Sequence, residues 1–202
     1  MAISMRDEWY GDKRDLVKWG VLLEVAQRYG AKHILQVLYH RPTKWKPLRI
    51  DGEKVKLNSA VLQHFRDPFS VSQIECKCRI EVLGNQFEDR NEYLKEVLKR
   101  IRLRSGLPRI IFLDPDTGLE PKGKATLNHV LASELKKIWA TLIRGDVLVL
   151  YQHQTNRNGS EWIQPKKRQF EKALGIRRGE SKMGNAKGIA KDVVFLFAEK
   201  DS

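Results

Sequence analysis

Apolar residues recur along this chain in two rhythms, a helical spacing of three and four and short unbroken β-prone runs, and the two alternate almost from end to end. Asp12 is placed to cap a first helix reaching about Tyr29, with Leu16, Trp19, Leu23 and Ala26 on one face and Gly30 as its stop. His33 to Tyr39 reads as a buried strand. Asp51-Gly52 between the β-prone arms of Arg49 to Leu57 predicts a tight hairpin, and a short helix is expected over Ser59 to Phe65. Cys78 to Leu83 reads as a strand, followed by a charged amphipathic helix from Asp89 to Arg104 that Ser105-Gly106-Leu107-Pro108 ends.

The second half repeats the alternation more clearly. Arg109 to Leu113 is an apolar run bounded by Pro108 and Asp114-Pro115, and a helix from about Leu127 to Ile143 leads through Gly145 into the strand Asp146 to Tyr151. A helix from Pro165 to Leu174, a basic glycine-rich loop from Gly175 to Gly188 and a last strand from Val193 to Ala198 complete it. Such a pattern predicts one α/β domain over residues 1–202, built on a mostly parallel, Rossmann-like sheet with helices on both faces. The strands at Ile110 to Leu113 and Val147 to Tyr151 should be parallel neighbours joined by a right-handed crossover.

In such a sheet ligands bind beyond the carboxyl ends of the strands, so the residues that follow each strand are the candidates for chemistry. They are His40-Arg41-Pro42, Gly84-Asn85-Gln86, Asp114-Pro115-Asp116 and Gln152-His153-Gln154. Asp114 stands out, because a carboxylate at the end of a fully apolar strand loses solvation that something must replace. Asp114 and Asp116 flank a rigid proline and could share a Mg2+ or Mn2+ ion, or one could act as a base; Asp116 and Thr117 could equally just shape the turn into Gly118. With Glu120 and Lys122 the segment imitates the two-carboxylates-and-lysine signature of metal-dependent nucleases, for which Asp114, Asp116 and Glu120 are the metal ligands. His153 ends the neighbouring strand, within reach of this loop as ligand or base; His129 is a fainter candidate.

Charge points to the partner. Thirty-eight Lys and Arg against 25 Asp and Glu give a formal net charge of +13, which favours nucleic acid, DNA or RNA, as the partner. Lys166, Lys167, Arg168, Arg177 and Arg178 are the clusters expected to meet phosphate, with Trp162 nearby to stack on a base. Cys76 and Cys78 read as reduced packing thiols. No run approaches the roughly 20 apolar residues of a membrane span, and charges occupy Met1 to Tyr10 where a secretory signal would be apolar, so a cytoplasmic protein without membrane contact is expected.

Asp-Pro-Asp-Thr-Gly at the end of an apolar strand, followed by a helix and Asp146-Val-Leu-Val-Leu-Tyr151, resembles the fourth and fifth strands of class I methyltransferases, and Gly11-Asp12-Lys13-Arg14-Asp15-Leu16-Val17-Lys18-Trp19 is similar to the opening of the large-subunit ribosomal RNA adenine-N6 methyltransferases. The resemblance covers the first helix and the C-terminal half. It implies a methyltransferase-type sheet, S-adenosylmethionine as cofactor near Asp12, Asp15, Lys18 and Tyr39, and Asp114 as the carboxylate that receives the target amino group. The loop Val37 to Pro42, where that family carries glycines and an acidic residue, has no glycine and presents cations. The leading expectation is modification of a nucleic-acid base; the rivals are a metal-dependent nuclease or phosphoesterase, and a nucleic-acid-binding protein without catalysis.

Overall fold

A computed structural model describes residues 13–41, 48–56, 68–103, 106–154, 156 and 161–201. The elements run α1 (Lys13–Arg28), β1 (His33–Leu38), β2 (Leu48–Ile50), β3 (Glu53–Val55), a 3-10 helix (Pro68–Gln73), β4 (Arg79–Leu83), α2 (Arg90–Arg102), β5 (Arg109–Asp114), β6 (Gly118–Leu119) and β7 (His129–Val130). They continue with α3 (Ala132–Thr141), β8 (Val147–His153), α4 (Ile163–Leu174), β9 (Lys182–Ala186) and β10 (Ala190–Glu199).

Six strands form one sheet in the order β4-β1-β5-β8-β10-β9. β4, β1, β5 and β8 are mutually parallel, β10 is antiparallel to β8, and β9 is antiparallel to β10. The α/β class, the mostly parallel Rossmann-like sheet and the β5–β8 pairing are therefore those the sequence predicts. Helices cover both faces because the central strands are apolar on both. Ile34, Ile110, Phe112 and Val149 pack against Val17, Trp19 and Leu22 of α1. On the other side Leu35, Ile111, Leu113 and Leu150 meet Val97 of α2, Ile138 of α3 and Phe170 of α4. Among the described residues no helix is long and apolar enough to cross a membrane.

The chain leaves β1 toward β4 on one side and returns to β5 on the other, so the connections diverge between β1 and β5. The carboxyl ends of these two strands flank the crevice where α/β sheets take their ligands. Leu38 pairs with Asp114 in register, which sets the acidic loop at this switch point.

Two local expectations are corrected. The helix expected from Leu127 begins only at Ala132, because His129–Val130 pairs in parallel with Gly118–Leu119, the carbonyl of Val130 taking the amide of Glu120 at 3.0 Å. The segment from Gly175 to Gly188 is not all loop: Lys182–Ala186 is an edge strand whose Met183 and Gly184 lie opposite Leu196 and Phe195. Asp51 and Gly52 turn the β2–β3 hairpin with φ of 51° and 86°, as expected, whereas the helix over Ser59 to Phe65 lies outside the described residues.

Candidate active site at the topological switch point

Asp114 closes β5 with its side chain wholly buried, and its carboxylate is compensated from two directions. Oδ2 accepts from the Lys18 ammonium of α1 at 3.0 Å and from the Gln36 amide of β1 at 2.7 Å. Lys18, 3% exposed, also donates to Asp15 at 2.8 Å. Burial pushes the Asp114 carboxyl above its ordinary range, and the Lys18 charge and hydrogen bond oppose that rise. A helix packed across the face of a sheet thus delivers a cation to a carboxylate 96 residues away in sequence.

From Lys18 the polar cluster continues to the surface. Its ammonium sits 5.1 Å from the centre of the Tyr151 ring, the Tyr151 hydroxyl is 3.0 Å from His153 Nε2, and Arg14 pairs with Asp192 at 2.7 Å. His153 Nδ1 lies 3.9 Å from Asp192. The side chain of the histidine expected to meet the acidic loop is linked to Asp114 through Tyr151 and Lys18. Its backbone does meet the loop, donating to the Thr117 carbonyl at 3.1 Å.

The second carboxylate is held by different groups. Asp116, 5% exposed, takes Arg41 Nη2 at 2.7 Å, and the same nitrogen donates to Asn128 Oδ1. Gln152, fully buried in β8, fastens the loop between them: its oxygen accepts from Leu119 N at 2.8 Å and its nitrogen donates to the carbonyl of Thr117 at 2.9 Å. Gly118 is required here, since it holds φ at 105° and a Cβ on it would stand 2.4 Å from Gln152 Oε1.

Glu120 is spent elsewhere. Its Oε1 accepts from Ala132 N at 2.9 Å, satisfying one of the free amides at the start of α3, while Lys122 is exposed. Asp114, Asp116 and Glu120, expected as a shared metal set, thus go to Lys18 with Gln36, to Arg41, and to a helix terminus. Among the described residues no group of three His, Cys, Asp or Glu could hold a metal ion. His129 accepts from Thr126 N at 3.1 Å and shapes the turn ahead of β7.

Of the residues expected at a cofactor, Asp15 and Lys18 belong to this cluster, and Asp12 lies outside the described residues. Tyr39 does not reach a ligand: it is 2% exposed, its ring lies 5.0 Å from Phe87 and 5.5 Å from Tyr93, and burial drives its hydroxyl pKa well up. The basic clusters are also rearranged. Lys166 is buried, donating to the carbonyls of Leu119 and Glu120 at 3.0 and 2.9 Å and to Gln169 Oε1 at 3.0 Å, so it anchors the acidic loop instead of meeting phosphate. Desolvation lowers its pKa to about 8. Arg168, Arg177 and Arg178 are exposed and Lys167 is half-buried. Lys167 and Arg168 lie midway along α4, whereas Arg177 and Arg178 follow its Gly175 cap.

Arg41 and Gln152 lie in the strand-end segments that the sequence marks, whereas Gln36 and Asn128 were not singled out, although Gln36 interrupts an otherwise apolar strand and so carried a signal. Among the described residues, buried polar atoms at these strand ends without a hydrogen-bond partner include Gln36 Oε1, Asp114 Oδ1 and Arg41 Nε.

Fold and site together define a Rossmann-like α/β protein with a charged cluster at its switch point. No family model and no curated relative matches the chain. Among solved structures it is similar to a DUF574 family protein from Streptomyces avermitilis MA-4680, at 12% identity and a TM-score of 0.44 over 93% of this chain and 82% of that one. It is also similar to a protein from Thermobifida fusca YX with a provisional methyltransferase description, at 14% identity and a TM-score of 0.44 over 94% and 80%. Both likenesses are distant.

Proposed function

We propose that this chain is a nucleic-acid-directed methyltransferase that modifies a base. The observation that carries the reading is the meeting of Lys18 with Asp114 at 3.0 Å, because the two segments with methyltransferase-like motifs, remote in sequence, build one cluster at the switch point. Of the residues at these strand ends, Arg41 fits S-adenosylmethionine directly: its half-buried guanidinium is a donor for the carboxylate of an amino-acid moiety, whereas Asp114 and Gln36 are closed off and act through Lys18. When bound, that cofactor supplies an electrophilic methyl group.

In this reading Asp114 is a positioning residue. Its carboxylate is closed off under α1, so it orients Lys18 and α1 against the strand ends and does not itself receive the target base. Arg41, half-buried and paired with Asp116 just beyond β1, is the cation this reading assigns to the ligand. The net charge of +13 supports nucleic acid as the substrate class.

The test is transfer of radiolabelled methyl from S-adenosylmethionine to RNA and DNA preparations by the intact chain. Label in nucleic acid, reduced at least tenfold by Arg41→Gln, agrees with the proposal. Nucleic-acid binding with no cofactor binding and no transfer would instead make this a non-catalytic binding protein.

A further inference from the structure

At the opposite ends of β1 and β4 lies a hollow of about 300 Å³ between the sheet and α2. It is separated from the switch point by the length of β1, six residues or roughly 20 Å at about 3.3 Å each. Its polar wall carries Lys32, Arg79 and Arg100 against a single carboxylate, Glu81. Glu81 is committed to Arg100 Nε on one oxygen and stands 3.2 Å from His33 Nε2 on the other. Lys32 and Arg79 are exposed, and among the described residues no ion pair or side-chain hydrogen bond engages either. They are brought together by the backbone, Arg79 N donating to the Lys32 carbonyl at 2.9 Å.

The other wall is apolar and open. Leu103 is 59% exposed and Leu107 52%, both among the more exposed large hydrophobic side chains described, and both line the same hollow. Three cations against one carboxylate leave two positive charges uncompensated beside an apolar surface. That combination matches a dianionic phosphate carried on a flat, largely apolar body. The volume, near the lower end for small-molecule sites, admits one such unit.

We infer that the hollow formed by Lys32, Arg79, Arg100, Leu103 and Leu107 is a nucleotide-phosphate site distinct from the switch-point cluster. Arg79 and Lys32 grip the phosphate, Arg100 adds the guanidinium edge that Glu81 leaves open, and the two leucines take the face of the base or sugar. The nucleotide is either free or one unit of a nucleic-acid strand, and binding experiments distinguish the two.

The intact chain is titrated with AMP and with a fluorescently labelled single-stranded 12-mer, with inorganic phosphate as competitor, in wild type, Lys32→Gln/Arg79→Gln and Glu81→Gln. Thermal melting confirms that each variant is folded. The inference predicts at least tenfold weaker binding of one probe in the double variant and several-fold tighter binding in Glu81→Gln. Loss confined to AMP identifies a free nucleotide, and loss confined to the 12-mer identifies a strand. If wild type binds neither probe, or the double variant binds both as well as wild type does, the inference is wrong. Should Glu81→Gln fail to fold, the double variant alone decides.

Discussion

Replacing Lys18 with methionine keeps the length of a side chain packed under α1 and removes the charge that compensates Asp114. The pair is 3.0 Å apart, with side-chain exposures of 4% and 0%, so neither partner has water to fall back on. At an effective dielectric constant near 20 the gross attraction is about 5.5 kcal/mol, and breaking a buried pair by removing one partner costs roughly 3–5 kcal/mol net. For a chain of this size that corresponds to a fall of roughly 6–20 °C in Tm. The loss should depend on pH. Burial already holds the Asp114 carboxyl above its ordinary range, so its ionisation costs stability as pH rises through that raised value, and Lys18 limits the cost. Without Lys18 the deficit is largest above that raised value, where the carboxyl is ionised, and shrinks in acid, where it is protonated in both proteins. Thermal and urea denaturation of wild type, Lys18→Met, Asp114→Asn and the double variant measures it. The double variant should recover about 0.5–3 kcal/mol relative to the sum of the singles. Additive effects, or a pH-independent loss under about 1 kcal/mol, would refute the claim that this pair holds the site together.

Three further outcomes follow from the same geometry. Lys166→Met should cost about 1–3 kcal/mol by leaving buried carbonyls without their donor; because the pKa of Lys166 is lowered to about 8 in the folded chain, wild-type stability gains from this group as pH rises above 8, so the gap in Tm between wild type and variant should widen toward pH 10. Gly118→Ala should cost about 1–3 kcal/mol by strain at φ 105° and push Gln152 from the loop, read as a fall in Tm together with weaker ligand binding. If Lys167 and Arg168 contact duplex phosphate, changing both to Gln should lessen the slope of log K against log salt by about 1.8, and an unchanged slope excludes them.

The central strands were legible because continuous apolar runs such as Ile110 to Leu113 and Val147 to Tyr151 can be buried on both faces. The two-residue strands at Gly118 and His129 were not, since their pairing is dictated by the fold around them, and Lys182–Ala186 lacks apolar alternation because it lies at a sheet edge. Asp114 was visible as a charge at the end of an apolar strand. Its partners Lys18 and Gln36 come from other elements, and only the packing of α1 against the sheet reveals them. Lys166 was misread within the Lys166-Lys167-Arg168 cluster, yet it shares a helix face with the buried Phe170 and Ala173, a spacing that marks the inner side of α4.

The most direct measurement is calorimetric titration of the intact chain with S-adenosylmethionine, alone and in the presence of RNA or DNA. The account predicts saturable binding at one site, weakened at least tenfold by Arg41→Gln and unchanged by the remote, exposed Arg177→Gln. No heat of binding with or without nucleic acid, or equal affinity in the Arg41 variant, would contradict a methyltransferase site at the junction of β1 and β5.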